Sequence, residues 1–139
     1  MHFRLRPALL LIPLIAIAAA CDNGPTTVTP PSNPTVTETF SGTLTKNGSI
    51  THQFSATSRG AVTATLTKVD PDSTLAIGVS IGTWNGTSCQ IVLSNDSTTV
   101  GNGLLGAVSG VGNLCLKVYD AAGTVPTTSE AYSVDVAHP

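Results

Sequence analysis

AVTATLTKV (Ala61–Val69), DPDS (Asp70–Ser73) and LAIGVSIG (Leu75–Gly82) follow one another in the middle of the chain. In the first run Val62, Ala64 and Leu66 alternate with Thr63, Thr65 and Thr67. In the last, Leu75, Ile77, Val79 and Ile81 alternate with Ala76, Gly78, Ser80 and Gly82. A period of two puts all the apolar members on one face of a strand, and a helix would scatter them. The Asp-Pro-Asp-Ser segment between them is turn chemistry: Pro fixes φ, and Asp bonds its own following backbone. Two half-buried strands joined by a turn are the unit from which an all-β domain is built.

The same pattern extends outward. Phe40, Gly42 and Leu44 alternate, Asn47-Gly48 marks a tight hairpin turn, and Ile50, His52 and Phe54 alternate on the return. Beyond Ile81, Asn85-Gly86 is another turn, and strands are expected at Cys89–Leu93, Thr98–Val108, Asn113–Asp120 and Ala131–Val136. About eight short strands, with no helical period between them, predict a small antiparallel β-sandwich. Only 10% of residues are charged, and Thr, Ser, Gly and Val dominate, so the polar surface consists mostly of neutral hydroxyls and amides.

The N-terminus is of another kind. Met1–Arg6 carries Arg4 and Arg6 and no acid, Ala8–Ala20 is apolar, and Ala18-Ala19-Ala20 precedes Cys21. These are the three regions of an export signal. The apolar run of about 13 residues is shorter than the ~20 a spanning helix needs. Pro7 and Pro13 argue against a buried helix there. Ala18-Ala19-Ala20-Cys21 resembles the lipobox of a bacterial lipoprotein precursor, although Ala18 stands where the commonest pattern has Leu. The resemblance implies that the Cys21 thiol is diacylglycerated and the preceding bond cut. Export as a soluble chain cut near Ala20 is the competing reading.

Cysteine counting bears on that choice. The three cysteines are Cys21, Cys89 and Cys115. With Cys21 carrying lipid, the other two can pair in an oxidising compartment. Cys115 alternates into the face shared with Lys117 and Tyr119, so a bridge is expected near the surface, between adjacent strands or a strand and a loop. It would close a loop of about 27 residues and stabilise by roughly 3.5 kcal/mol on the chain-entropy model. Two buried free thiols are the alternative.

Between Cys21 and the first strand, Pro25, Pro30, Pro31 and Pro34 block helix and interior strand. The chain therefore divides into a signal peptide (1–20), a lipid-anchored Thr/Pro-rich linker (21–37) and a β-sandwich domain (38–139). Phe40-Ser41-Gly42-Thr43-Leu44, His52-Gln53-Phe54 and Gly60–Thr67 resemble the pre-peptidase C-terminal (PPC) type of domain. That resemblance implies a secreted, jelly-roll-like, non-catalytic module, in some cases credited with substrate or surface binding. Asp70-Pro71-Asp72-Ser73, followed by Leu75, departs from the family's Asp-x-Asp-Leu stretch and from any ion site tied to it.

Candidate chemistry is sparse. After residue 20, four basic residues (Lys46, Arg59, Lys68, Lys117) face eight carboxylates, with no basic stripe for nucleic acid. His52 and His138 are too few for a zinc site, and His52 should be a partly buried sandwich residue beside Ile50 and Phe54. Ser109 lies in Gly106-Ala107-Val108-Ser109-Gly110, which is not a nucleophile elbow because position 107 is Ala. Asp70, Asp72, Asn95, Asp96 and Asp120 read as turn residues without calcium-loop spacing. Asn47, Asn85 and Asn95 open glycosylation sequons, which are ordinary turn chemistry in a bacterial envelope protein. Among Trp84, Tyr119 and Tyr132, Trp84 beside its turn is the candidate ligand-stacking residue; the alternative is a core plug. No catalytic residue, metal or cofactor is expected. The reading is a membrane-anchored envelope protein, on the periplasmic or surface side, holding or recognising an envelope protein or polysaccharide. A secreted enzyme or enzyme subunit with an unrecognised site is the alternative.

Overall fold

The computed structural model describes residues 35–139. Cys21, the export signal and most of the linker lie outside the described residues. The eight strands are β1 (Val36–Leu44), β2 (Ser49–Ala56), β3 (Gly60–Asp70), β4 (Ile77–Trp84), β5 (Cys89–Thr98), β6 (Gly103–Val108), β7 (Gly112–Tyr119) and β8 (Glu130–His138). They form two antiparallel four-stranded sheets, ordered β1-β8-β3-β6 and β2-β7-β4-β5. No helix occurs among the described residues. All connections except β4–β5 pass from one sheet to the other, which is the jelly-roll winding of a β-sandwich.

The alternation read from the sequence sets the faces. Val62, Ala64 and Leu66 of β3, Ile77, Val79 and Ile81 of β4, Leu114, Leu116 and Val118 of β7, and Val134 and Val136 of β8 are all buried between the sheets. Each fully buried aliphatic side chain contributes about 1.5–3 kcal/mol over its exposed state. Thr39, Ser41, Ser133 and Thr67 lie on the other face of the first sheet, where Thr39 Oγ1 donates to Asp135 (2.7 Å) and the Ser41 and Ser133 hydroxyls share a bond (2.8 Å).

Three expectations need correction. Asn47-Gly48 is a real turn, with Asn47 at φ 56°, but not a hairpin: β1 pairs with β8, and β2 with β7. Phe40 and Leu44 on one side, and Ile50 and Phe54 on the other, all pack into the same core. A sheet-to-sheet corner lets both strands bury those faces against each other. The corner is held by Asp120, whose carboxylate accepts from the Asn47 N–H (2.9 Å) and the Thr124 N–H (3.0 Å). Second, Asn95-Asp96-Ser97 does not separate two strands. Asn95 Oδ1 accepts from the Ser97 N–H (3.0 Å), the register against β4 shifts between Ile77 and Val79, and β5 continues as a bulge to Thr98. The turn comes at residues 99–102. Third, β1 begins at Val36, two residues before the domain boundary read from the sequence.

Candidate functional site

The sandwich has two open sides, because each sheet has two edge strands. On one side β1 lies beside β2; on the other, β5 lies beside β6.

The β1/β2 side is closed by rings. His138 packs on Phe54 (centroids 5.1 Å apart), Phe54 on Phe40 (6.1 Å), Phe40 on His52 (5.1 Å) and His52 on Tyr132 (6.0 Å). His52 Nε2 and the Tyr132 hydroxyl share a hydrogen bond of 2.8 Å. Burial pushes the His52 pKa down and the Tyr132 phenol up to about 12, so both are neutral near pH 7. Gly42 makes room for the phenol: a Cβ there would stand 2.6 Å from its oxygen. At the end of the row, buried His138 bonds Glu38 Oε1 through Nε2 (2.9 Å), while its Nδ1 is buried without a partner. A general base would need a nucleophile within reach, and His52 instead bonds a phenol inside the sandwich.

The β5/β6 side is closed by aliphatic side chains and glycine. An apolar cleft of about 70 Å³ remains between the sheets there. Val92, Leu93 and Ile81 line it from one sheet, Val62, Gly106 and Val108 from the other. No ionisable group lines it.

The outer face of the β2-β7-β4-β5 sheet carries the disulfide. Cys89 and Cys115 are bonded, with Cα atoms 5.7 Å apart. They are not opposite neighbours, since Cys115 stands against Gln53 and Gly82, and Cys89 against Trp84. The bridge reaches from β5 to β7 over β4. Gly82 permits it: a Cβ there would run into the backbone of Gln90 and Ile91, which closes over this point. The bridge lies outside the core between the sheets, as expected of the face shared with Lys117 and Tyr119, but Cys115 itself is fully buried. Farther along the face, the Tyr119 ring lies over Gly78, its hydroxyl donates to Asp96, and the Lys117 ammonium stands 5.9 Å from the ring centroid. Burial, reinforced by the bond to Asp96 and its charge, pushes the Tyr119 phenol up to about 12.

Of the three aromatics named as stacking candidates, Tyr132 is core and Tyr119 is tied to Asp96. Trp84 is half-buried at the end of β4, one residue past the inward-facing Thr83, and so belongs to the outer face and is not a core plug. The turn reading holds for Asp72, Asn85 and Asp120, whereas Asp70, Asn95 and Asp96 lie within β3 and β5. Asp72 accepts from Thr74, Asn85 from Thr87 and Ser88, and Asp120 from Thr124. Among the described residues no group of three or more His, Cys, Asp or Glu is placed to hold a metal ion. The ring row escaped sequence reasoning because its members, at 40, 52, 54, 132 and 138, have no local spacing in common. No protein-family model and no curated protein matches this chain.

Proposed function

We propose that the chain is an exported lipoprotein whose lipid sits on Cys21 and whose jelly-roll domain serves as a non-catalytic structural or binding module in a bacterial envelope. The observation that carries this reading is the disulfide. With Cys89 and Cys115 joined, the third cysteine is the one that follows Ala18-Ala19-Ala20. A structural disulfide also fits an oxidising compartment outside the cytoplasm. A jelly-roll winding is what the PPC-type resemblance implies for the domain. The neutral Thr and Ser rows of the β1-β8-β3-β6 sheet suit an envelope protein or polysaccharide as partner better than a nucleic acid. The non-catalytic role is supported by the way both described histidines are engaged, His52 with Tyr132 and His138 with Glu38.

The test is Cys21→Ser in the full chain, expressed in a bacterial host, with envelope fractionation and intact mass. The parent should be cleaved before Cys21, gain the mass of the lipid and sediment with membranes. The variant should be soluble or uncleaved. Unchanged partition and mass in the variant would overturn the proposal.

A further inference from the structure

We infer that the β5/β6 side of the domain is a self-association surface, on which β6 of one copy pairs antiparallel with β6 of a second copy. This goes beyond the anchoring reading and does not rest on the lipid.

The first observation is charge. Between Ser73 and Leu116 the chain runs 44 residues with one charged side chain, Asp96. The topology gathers that stretch, as β4, β5 and β6, on one side of the sandwich. Six of the seven exposed large hydrophobics among the described residues come from it, including Val92 (70% exposed), Leu105 (72%) and Val111 (82%). A concentration of exposed apolar side chains of this kind marks an interaction site.

The second observation is the edge itself. β6 is hydrogen-bonded on one side only, to β3. Its register runs unbroken from Gly60↔Val108 to Thr65↔Gly103. The Leu66 N–H donates to the Asn102 carbonyl, so alternation turns the backbone groups of Leu104, Gly106 and Val108 toward β3 and those of Leu105 and Ala107 outward. GLLGAV contains no proline, lysine or bulge, the usual devices that protect an edge. The other three edges differ. β5 breaks register twice, at Ile77/Val79 and at Ile81/Gly82. The exposed residues of β2 are Ser49, Thr51, Gln53 and Ser55, which offer little apolar surface to bury. β1 carries Glu38, partly exposed.

The third observation selects the occupant. β6 has neither a charge to attract a partner of opposite sign nor an aromatic ring to stack on a sugar, and the one carboxylate of the stretch, Asp96, is held by the Tyr119 hydroxyl. β6 complements its own copy, because an antiparallel strand paired with itself sets neutral apolar residues against the same residues about a two-fold axis. β1 occupies the opposite edge of the same sheet, about 14 Å from β6 at a strand spacing near 4.8 Å. The product is one continuous sheet across the pair, with the two clefts side by side.

The test uses the full chain, extracted in mild detergent, in sedimentation equilibrium. It includes Leu105→Lys, which places a charge on the edge, and Ala107→Pro, which removes an outward N–H without touching the β3 ladder. Thr51→Lys on β2 is the control, and circular dichroism melts verify folding. The parent should fit a monomer–dimer equilibrium with no larger species. Leu105→Lys and Ala107→Pro should each weaken it at least about tenfold, and Thr51→Lys should leave it unchanged. If Ala107→Pro melts early, Leu105→Lys alone decides, since its side chain is exposed. A parent that stays monomeric to hundreds of micromolar would overturn the inference. So would association that survives Leu105→Lys, or that is lost in Thr51→Lys.

Discussion

The two open sides of this sandwich solve one problem with different residues. On the β1/β2 side, five rings from β1, β2 and β8 fill the gap, and His52 bonds the Tyr132 hydroxyl within the row. On the β5/β6 side no ring is available, and Leu, Val and Gly leave a cleft with apolar side chains at its rim. Aromatic side chains bury far more surface per residue than Val or Leu. A small domain with few of them can therefore close one side fully and leave the other for a partner. The polar atoms follow the same division: His52, Tyr132, Glu38 and His138 all lie on the closed side.

The largest expected contrast is between two truncations. Phe54→Ala, in the centre of the ring row, should cost about 3–5 kcal/mol of unfolding free energy. Leu93→Ala, at the half-open cleft, should cost under about 1.5 kcal/mol. Urea denaturation of the two variants measures both, and equal losses would show that the β5/β6 side is as tightly packed as the other. Reduction comes next. The Cys89–Cys115 bridge fastens β5, the bulged edge strand, to β7, and opening it should remove up to roughly 3.5 kcal/mol, lowering the melting temperature without abolishing the fold. Thiol titration in denaturant, alongside the melt, checks that the thiols of Cys89 and Cys115 appear.

A pair of glycine substitutions sharpens the comparison further. Gly42→Ala drives a methyl against the Tyr132 hydroxyl and should cost about 1–3 kcal/mol. Gly106→Ala meets only the end of the flexible Leu93 side chain beside the cleft and should stay within about 1 kcal/mol of the parent. The smallest effect is that of pH. The folded-state pKa of His52 is lowered, so the unfolded chain binds the extra proton first. Its contribution is present above the unfolded value near 6.5 and is lost as pH falls through the lower folded value. Melting temperature should fall between pH 7.5 and 5.5, and His52→Gln should flatten that slope, with His138 present in both proteins as the internal control. The phenols act at the other end: Tyr119 and Tyr132, raised to about 12, contribute stability below pH 10 that is lost as pH rises toward 12.

The legible part of this fold is the local part. Ala61–Val69 and Ile77–Ile81 show their faces in the sequence because strand alternation needs no knowledge of partners. The disulfide was legible by counting, since three cysteines and one lipid site leave a pair. Partner choice was not legible. Asn47-Gly48 specifies a reversal of direction but not whether the two strands share a sheet, and Val36 meets His138 across almost the whole domain. The same non-locality hid the path of the bridge, which depends on Gly82 letting β5 close over β4. Trp84 was placed correctly beside a turn, but its face followed only from the strand's register. The run Ser73–Leu116, with Asp96 its single charge, is plain in the sequence. It acquires meaning only once β5 and β6, from different sheets, are seen to border the same opening.

The most direct test of this asymmetry is amide hydrogen exchange of the full chain in detergent, followed by mass spectrometry at low and high protein concentration. Peptides spanning Gly103–Val108 should gain protection as concentration rises, because the outward amides of Leu105 and Ala107 find partners in a second copy. Peptides spanning Ser49–Ala56, on the closed side, should exchange at the same rate throughout. Exchange in Gly103–Val108 that does not depend on concentration, or equal protection at both edges, would contradict the account.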